Sequence, residues 1–227
     1  MRPRAPYLDD KQRAVVRAWW TALQPEGKLA GHKTEEGAFH FDRGDRAALR
    51  RAVGVDDLVL ASASGRLAQA LLALEAHKKW RRIGDDMAAY RDIALAAGVL
   101  AHVKADMPDD GRTLAWWLGE GSLKARAAIS GAPVADRPLM SELRFKRLLK
   151  ATDADDIYRQ LLRAIKIAGE RADVGLLADD VLALLSDARR PPANPANSLK
   201  LYWAHDYYLN AKEQAVSQPE SNKESDV

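Results

Sequence analysis

DADDIYRQLLRAIKIAG, residues 153–169, decides the fold. Ile157, Leu161, Ile165 and Ala168 recur at a spacing of three to four residues, which places them on one stripe of a helix. Arg159, Arg163 and Lys166 fall on another face. The acids Asp153, Asp155 and Asp156 gather in the first turn, where the positive end of a helix favours them. Thr152 followed by Asp155 has the spacing of a capping box opening this helix near Asp153. Gly169 is placed to stop it.

The same period runs through the rest of the chain. Val15, Val16, Trp19, Trp20 and Leu23 form a stripe, as do Leu67, Ala70, Leu71 and Leu74. Ile93, Ala97 and Leu100 follow, and then Val174, Leu177, Val181, Leu184 and Leu185. Pro138 suits the first turn of a helix reaching to about Ala151. Asp45 suits the cap of a short helix ending near Ala52. No stretch of six residues alternates as a half-buried strand would, and only Leu58-Val59-Leu60 reads as a short extended piece. The expectation is an all-α protein, a compact bundle of about eight or nine helices arranged in one unit or two small lobes.

Breaker-rich segments separate these helices: 24–44, 104–112, 119–137 and 187–198. The helical unit is expected over residues 1–212. Large apolar residues are scarce beyond Lys212, so residues 213–227 are expected to form a disordered acidic tail.

Composition narrows the function. The chain has 227 residues, 47% of them hydrophobic and 30% charged, enough for a real core. It has no cysteine, which excludes disulfides, zinc–thiolate sites and thiol catalysis and suits a cytoplasmic setting. Met1-Arg2-Pro3-Arg4 is basic with no apolar run after it, so no signal peptide is expected. The Ala-rich stretches are broken by charges, so no membrane span is expected. The tail carries −3 of an overall +3, which leaves +6 on residues 1–212. A polyanionic partner fits that excess.

The densest basic region is Arg144 to Lys166, with Arg144, Lys146, Arg147, Lys150, Arg159, Arg163 and Lys166. It spans two consecutive helices, which are expected to pack antiparallel with their basic faces close together. Cations at helical spacing track phosphates without reading bases. Arg46, Arg50 and Arg51 form a smaller patch. Lys78-Lys79-Trp80-Arg81-Arg82 is a third, with an aromatic suited to stacking on a base. The pairs Trp19-Trp20 and Trp116-Trp117 lie beside apolar stripes and read as core. One exposed member of either pair would mark a protein interface.

Signs of catalysis are sparse. His32, His40, His77, His102 and His205 lack metal-ligand spacing, and no phosphate-binding glycine loop or nucleophile elbow is present. Neither a metal site nor a cofactor is expected. The paired aspartates mostly precede helices as caps, while Asp179-Asp180 lies inside a helix and reads as solvent-facing. His205-Asp206 has the adjacent pair of a helical metal-dependent phosphohydrolase, but the upstream His and later Asp that would complete such a site have no clear counterpart.

The C-terminal half carries a resemblance. Ser141-Glu142-Leu143-Arg144-Phe145-Lys146-Arg147-Leu148-Leu149 precedes Asp156-Ile157-Tyr158-Arg159-Gln160-Leu161-Leu162-Arg163-Ala164-Ile165. Leu176 to Leu182 and Tyr202-Trp203-Ala204-His205-Asp206-Tyr207-Tyr208 follow. This order resembles the CasB family, the small subunit of the type I-E CRISPR Cascade complex. Trp19-Trp20 and Gly44 to Ala52 look like the family's early helix and its Arg-x-x-Leu-Arg-Arg element. The likeness covers about residues 10–209. It departs at the Pro/Asn insert of 189–198, at 58–82 and in the tail.

The resemblance implies a non-catalytic, all-helical subunit present in two copies. Its partners would be CasC-type backbone subunits, a CasA-type large subunit, guide RNA and target DNA. It would help hold the opened R-loop without reading sequence. The family's contacts carry over to Arg50, Arg51, Arg144, Arg147, Arg159 and Arg163; spacing adds Arg46, Lys146, Lys150 and Lys166. Two rivals are a phosphohydrolase using His205 and Asp206, and a helical scaffold whose basic faces meet acidic protein.

Overall fold

The computed structural model describes residues 6–25, 39–75, 86–107, 111–119 and 137–208. Among them are ten α-helices: α1 (Asp10–Leu23), α2 (Arg43–Arg51), α3 (Val55–Leu60), α4 (Ser62–Glu75), α5 (Asp86–Leu100), α6 (Leu114–Leu118), α7 (Glu142–Lys150), α8 (Ala154–Ile167), α9 (Val174–Arg189) and α10 (Leu199–Tyr208). A 3-10 turn, Pro195–Asn197, precedes α10. The only strands among these residues are β1 (Ala105–Asp106) and β2 (Arg171–Ala172), two residues each and parallel. The fold is all-α, as the periodicity predicts.

Side-chain caps set most helix starts, though several differ from the sequence reading. Asp9 caps α1 in a capping box with Gln12. Asp42, not Asp45, caps α2; Asp45 is the third helical residue and completes the box. Asp153, not Thr152, caps α8 by accepting from the Asp156 amide at 3.0 Å. α7 begins at Glu142, after Pro138 rather than with it. Leu58 to Leu60 is helical, not extended, because α3 packs on α5 and α8 and tertiary contact outweighs a weak local preference. Gly169 ends α8 as expected, at φ 76°.

The centre of the core is α9. From Val174 to Leu185 every residue but Leu176 is buried. A helix apolar nearly all round must be enclosed. α1, α5 and α10 enclose it, α4 packs on α1 and α5, and α7 packs on α8. α6 packs on α10 so closely that a β-carbon on Gly119 would lie 2.5 Å from the Tyr207 carbonyl oxygen. Trp19, Trp20, Trp116 and Trp117 are all buried.

Asp179 and Asp180 correct the sequence reading most sharply. Both are buried, not solvent-facing. The Asp179 Oδ1 accepts the backbone amides of Tyr7 and Leu8, each at 2.6 Å, and the Arg13 guanidinium at 3.2 Å. The Asp180 Oδ2 accepts the Trp203 indole N–H at 2.9 Å. Arg17 of α1 adds a bond to Asp173, the cap of α9, at 2.6 Å.

Breaking a buried, hydrogen-bonded ion pair leaves its partners desolvated and unpaired. Asp179→Ala is therefore expected to lower unfolding free energy by about 3–5 kcal/mol, read by urea denaturation. Asp179→Asn keeps an acceptor for the amides and should cost less. Equal losses for the two variants would remove the charge from this account.

Candidate nucleic-acid interface

The two most basic helices separate apolar and charged residues cleanly. On α7, Phe145 and Leu148 are fully buried, while Arg144, Lys146, Arg147 and Lys150 are exposed. On α8, Ile157, Leu161, Ala164 and Ile165 are buried, and Arg159, Arg163 and Lys166 are exposed. Three residues, 151–153, join the helices, which pack against one another. At 1.5 Å per residue, Arg159 to Lys166 covers about 10 Å of helix axis.

Few of these cations are neutralised locally. Lys146 pairs with Glu142 at 2.5 Å, and Glu142 also accepts from the Tyr208 hydroxyl at 3.0 Å. The pair raises the Lys146 pKa and lowers that of Glu142. Arg159 lies 3.8 Å from Asp156. Among the described residues, no carboxylate lies within ion-pair distance of Arg144, Arg147, Lys150, Arg163 or Lys166. Exposed pairs contribute at most about 1 kcal/mol, so even Lys146 and Arg159 remain open to exchange with a stronger anion.

The α2 patch differs from this open arrangement. Arg51 is exposed. Arg46 and Arg50 are half-buried and turned towards the end of α8. The Arg46 guanidinium donates to the Val103 carbonyl at 3.4 Å, and the Arg50 guanidinium lies 3.8 Å from Glu170. Lys104 pairs more closely with the same carboxylate. The charges of Arg50, Glu170 and Arg46 act on His102. Burial first, and then Arg50, pull both the Arg46 and His102 pKa values down. The Lys104 hydrogen bond holds that of Glu170 low. Lys104, His102 and Glu170 escape a sequence reading because they come from two loops that meet only through the β1–β2 pairing. The adjacent Gly169 is their one local signal.

α8 is held near both its ends, by α2 just past its C-terminus and by the first residue of α3 at its first turn. Beyond the Arg50–Glu170 contact, the Val55 amide donates to Asp155 in the first turn of α8 at 2.8 Å. The α2 patch thus lies at the C-terminal end of the α8 cations. Lys78 to Arg82, with Trp80, and residues 213–227 lie outside the described residues. The Asp206 carboxylate accepts from the Thr113 hydroxyl at 2.6 Å, and Thr113 caps α6. Its other oxygen is 3.5 Å from the His205 Nδ1. The pair is thereby drawn into holding α6. Among the described residues, no group of three or more His, Cys, Asp or Glu is placed to hold a metal ion. No described helix is long and apolar enough to cross a membrane.

Residues 45–208 match the family described as CRISPR-associated protein Cse2. The chain belongs to the Cse2 family, also called CasB. No curated protein and no solved structure matches it. Cse2 proteins are subunits of the CRISPR Cascade complex, and the stretch matching them holds all of α3 to α10 and the basic residues of the Arg46–Arg51 and Arg144–Lys166 patches. α1 lies outside the match, although in this Cse2 chain it covers α9.

The lowered His102 pKa fixes the sign of a pH effect. The folded chain keeps His102 neutral where a free imidazole, at about 6.5, is already protonated. The unfolded state then binds more protons, so this residue's contribution is present above about pH 6.5 and is lost as pH falls through the folded value. His102→Gln should flatten that part of the stability profile, measured as urea midpoints at successive pH values. Superimposable profiles would show that His102 is not the titrating group.

Proposed function

We propose that this chain is a non-catalytic Cascade small subunit that grips the sugar–phosphate backbone of guide RNA and target DNA and helps hold the R-loop open. The observation that carries the reading is the α7–α8 face. Arg144, Arg147, Lys150, Arg163 and Lys166 stand exposed on two helices that pack together, without carboxylate partners among the described residues. Family membership supplies the setting.

Arg and Lys neutralise phosphates wherever a strand presents them, so such contacts position without specifying sequence. R-loop formation exchanges one duplex for another of similar stability, and protein–backbone contacts tip the balance. Alone, the chain binds weakly and without discrimination. In the complex, CasC-type backbone subunits, a CasA-type large subunit and a second copy of the chain multiply that weak grip. Val53, Leu60 and Leu143 are exposed apolar side chains suited to such subunit contacts. The chain acts in the cytoplasm.

Neutralising about six phosphates gives a log–log salt slope of about −4 to −5 for binding to DNA. Replacing Arg144, Arg147, Arg159 and Arg163 together by Ala should make the slope shallower by about 3 and weaken all sequences alike. Binding measured by fluorescence anisotropy across a salt series reads both effects. Flat binding, identical in the variant, would instead favour a scaffold whose basic faces meet acidic protein.

A further inference from the structure

Glu170 is the unusual residue of the basic region. It is the only described non-glycine residue with positive φ, at 60°, and it follows Gly169 at 76°. A side chain in this left-handed region is disfavoured, and glycine or asparagine would sit there with less strain. Strain of this kind persists where the surroundings enforce it and gathers at functional sites. Here the backbone does the enforcing. The Glu170 amide donates to the Ile165 carbonyl at 2.9 Å, and its own carbonyl accepts from Lys104 at 2.8 Å and Ala105 at 3.3 Å. The main chain is fixed, so only the carboxylate has freedom to move.

That carboxylate lies among cations from two other segments. Lys104 and Arg50 pair with it, and Arg46 and His102 are close enough to feel its charge. One negative charge meets three permanent positive ones. Two further polar atoms are left over: the Arg46 Nε, a donor, and the His102 Nε2, whose role depends on the tautomer, are buried and lack a hydrogen-bond partner among the described residues. A buried polar atom without a partner is costly and calls for an explanation. The Glu170 side chain is 26% exposed, that of Arg50 34% and that of Lys104 58%. Pairs this open to water exchange readily.

We propose that Arg46, Arg50, His102 and Lys104 form a binding site for one backbone phosphodiester, and that the Glu170 carboxylate occupies it in the free chain and yields it to the incoming strand. The two groups carry the same charge, so the exchange leaves the cluster's electrostatics in place. The two charged oxygens of a phosphodiester can take the places of the two carboxylate oxygens beside Arg50 and Lys104. Lys166 stands one turn before Glu170, so a strand tracked by Arg159, Arg163 and Lys166 leads into the site. The effect is to hold the free chain's grip low until a strand is laid along α8. This rests on the backbone-binding reading above.

The test uses the full chain and a fluorescein-labelled oligothymidylate. Removing the placeholder leaves the cluster to attract a solution anion, which binding then releases. Glu170→Gln should therefore tighten binding about three- to fivefold at low salt and steepen the salt slope by about 1. Glu170→Gly should do the same while raising the thermal midpoint, because it relieves the positive φ. Adding Arg50→Ala to Glu170→Gln should abolish the gain. If the native slope is steep and falls in the α7–α8 variant, yet Glu170→Gln binds no tighter, the placeholder is overturned and backbone gripping stands. If neither the native chain nor Glu170→Gln shows salt-dependent binding, both fall together.

Discussion

Two adjacent carboxylates on the most buried helix hold this structure together. Charge is expensive to take out of water unless it is paired and hydrogen-bonded. Asp179 and Asp180 meet that demand from opposite ends of the chain. Successive helical residues point about 100° apart, so one faces the segment leading into α1 and the other faces α10. Tyr7, Leu8 and Arg13 satisfy the first, and Trp203 satisfies the second. The core around α9 is therefore specified by polar geometry as well as by apolar area. The helices outside it, α7 and α8 among them, are positioned on a scaffold whose two ends are fastened at one turn.

From that scaffold the basic surface grades outward. At the Arg46–His102 end, donors are half-buried, their pKa values are displaced by burial, and one strained carboxylate sits among them. Along α8 and α7 the cations are exposed and mostly without partners. The basic residues therefore divide into a partly paired cluster and an open row. Long-range attraction of a polyanion falls to the open row, where charge is least compensated. Close contact falls to the cluster, where donors are already held in place.

The sequence made some of this legible and hid the rest. Helical period alone revealed α1, α4, α5, α8 and α9; on α8 charges mark the face opposite the buried stripe, whereas α5 and α9 are buried nearly all round and show the apolar period alone. The α7–α8 row was readable for the same reason: Phe145 and Leu148 set which side faces inward. Leu58 to Leu60 was misread because three apolar residues carry no period. Asp179-Asp180 was misread because an acid pair in a helix belongs outside unless something distant satisfies it, and its partners lie 172, 171, 166 and 23 residues away. The surroundings of Arg46 and Arg50 depend on Val103 and Glu170, which no spacing along α2 reveals.

The fastening at Asp179 and Asp180 also bears on how the chain is made. A contact separated by 172 residues cannot form until all the chain between its partners has been synthesised. When α9 emerges it is a strongly apolar helix carrying two charges: the partners of Asp179 are already made, while Asp180 must wait for Trp203. Those charges keep it hydrated, which opposes premature collapse and sticking between nascent chains. Only when Trp203 has followed can both carboxylates be sealed in. The same residues that lock the finished core thus act as solubilising gatekeepers during biosynthesis.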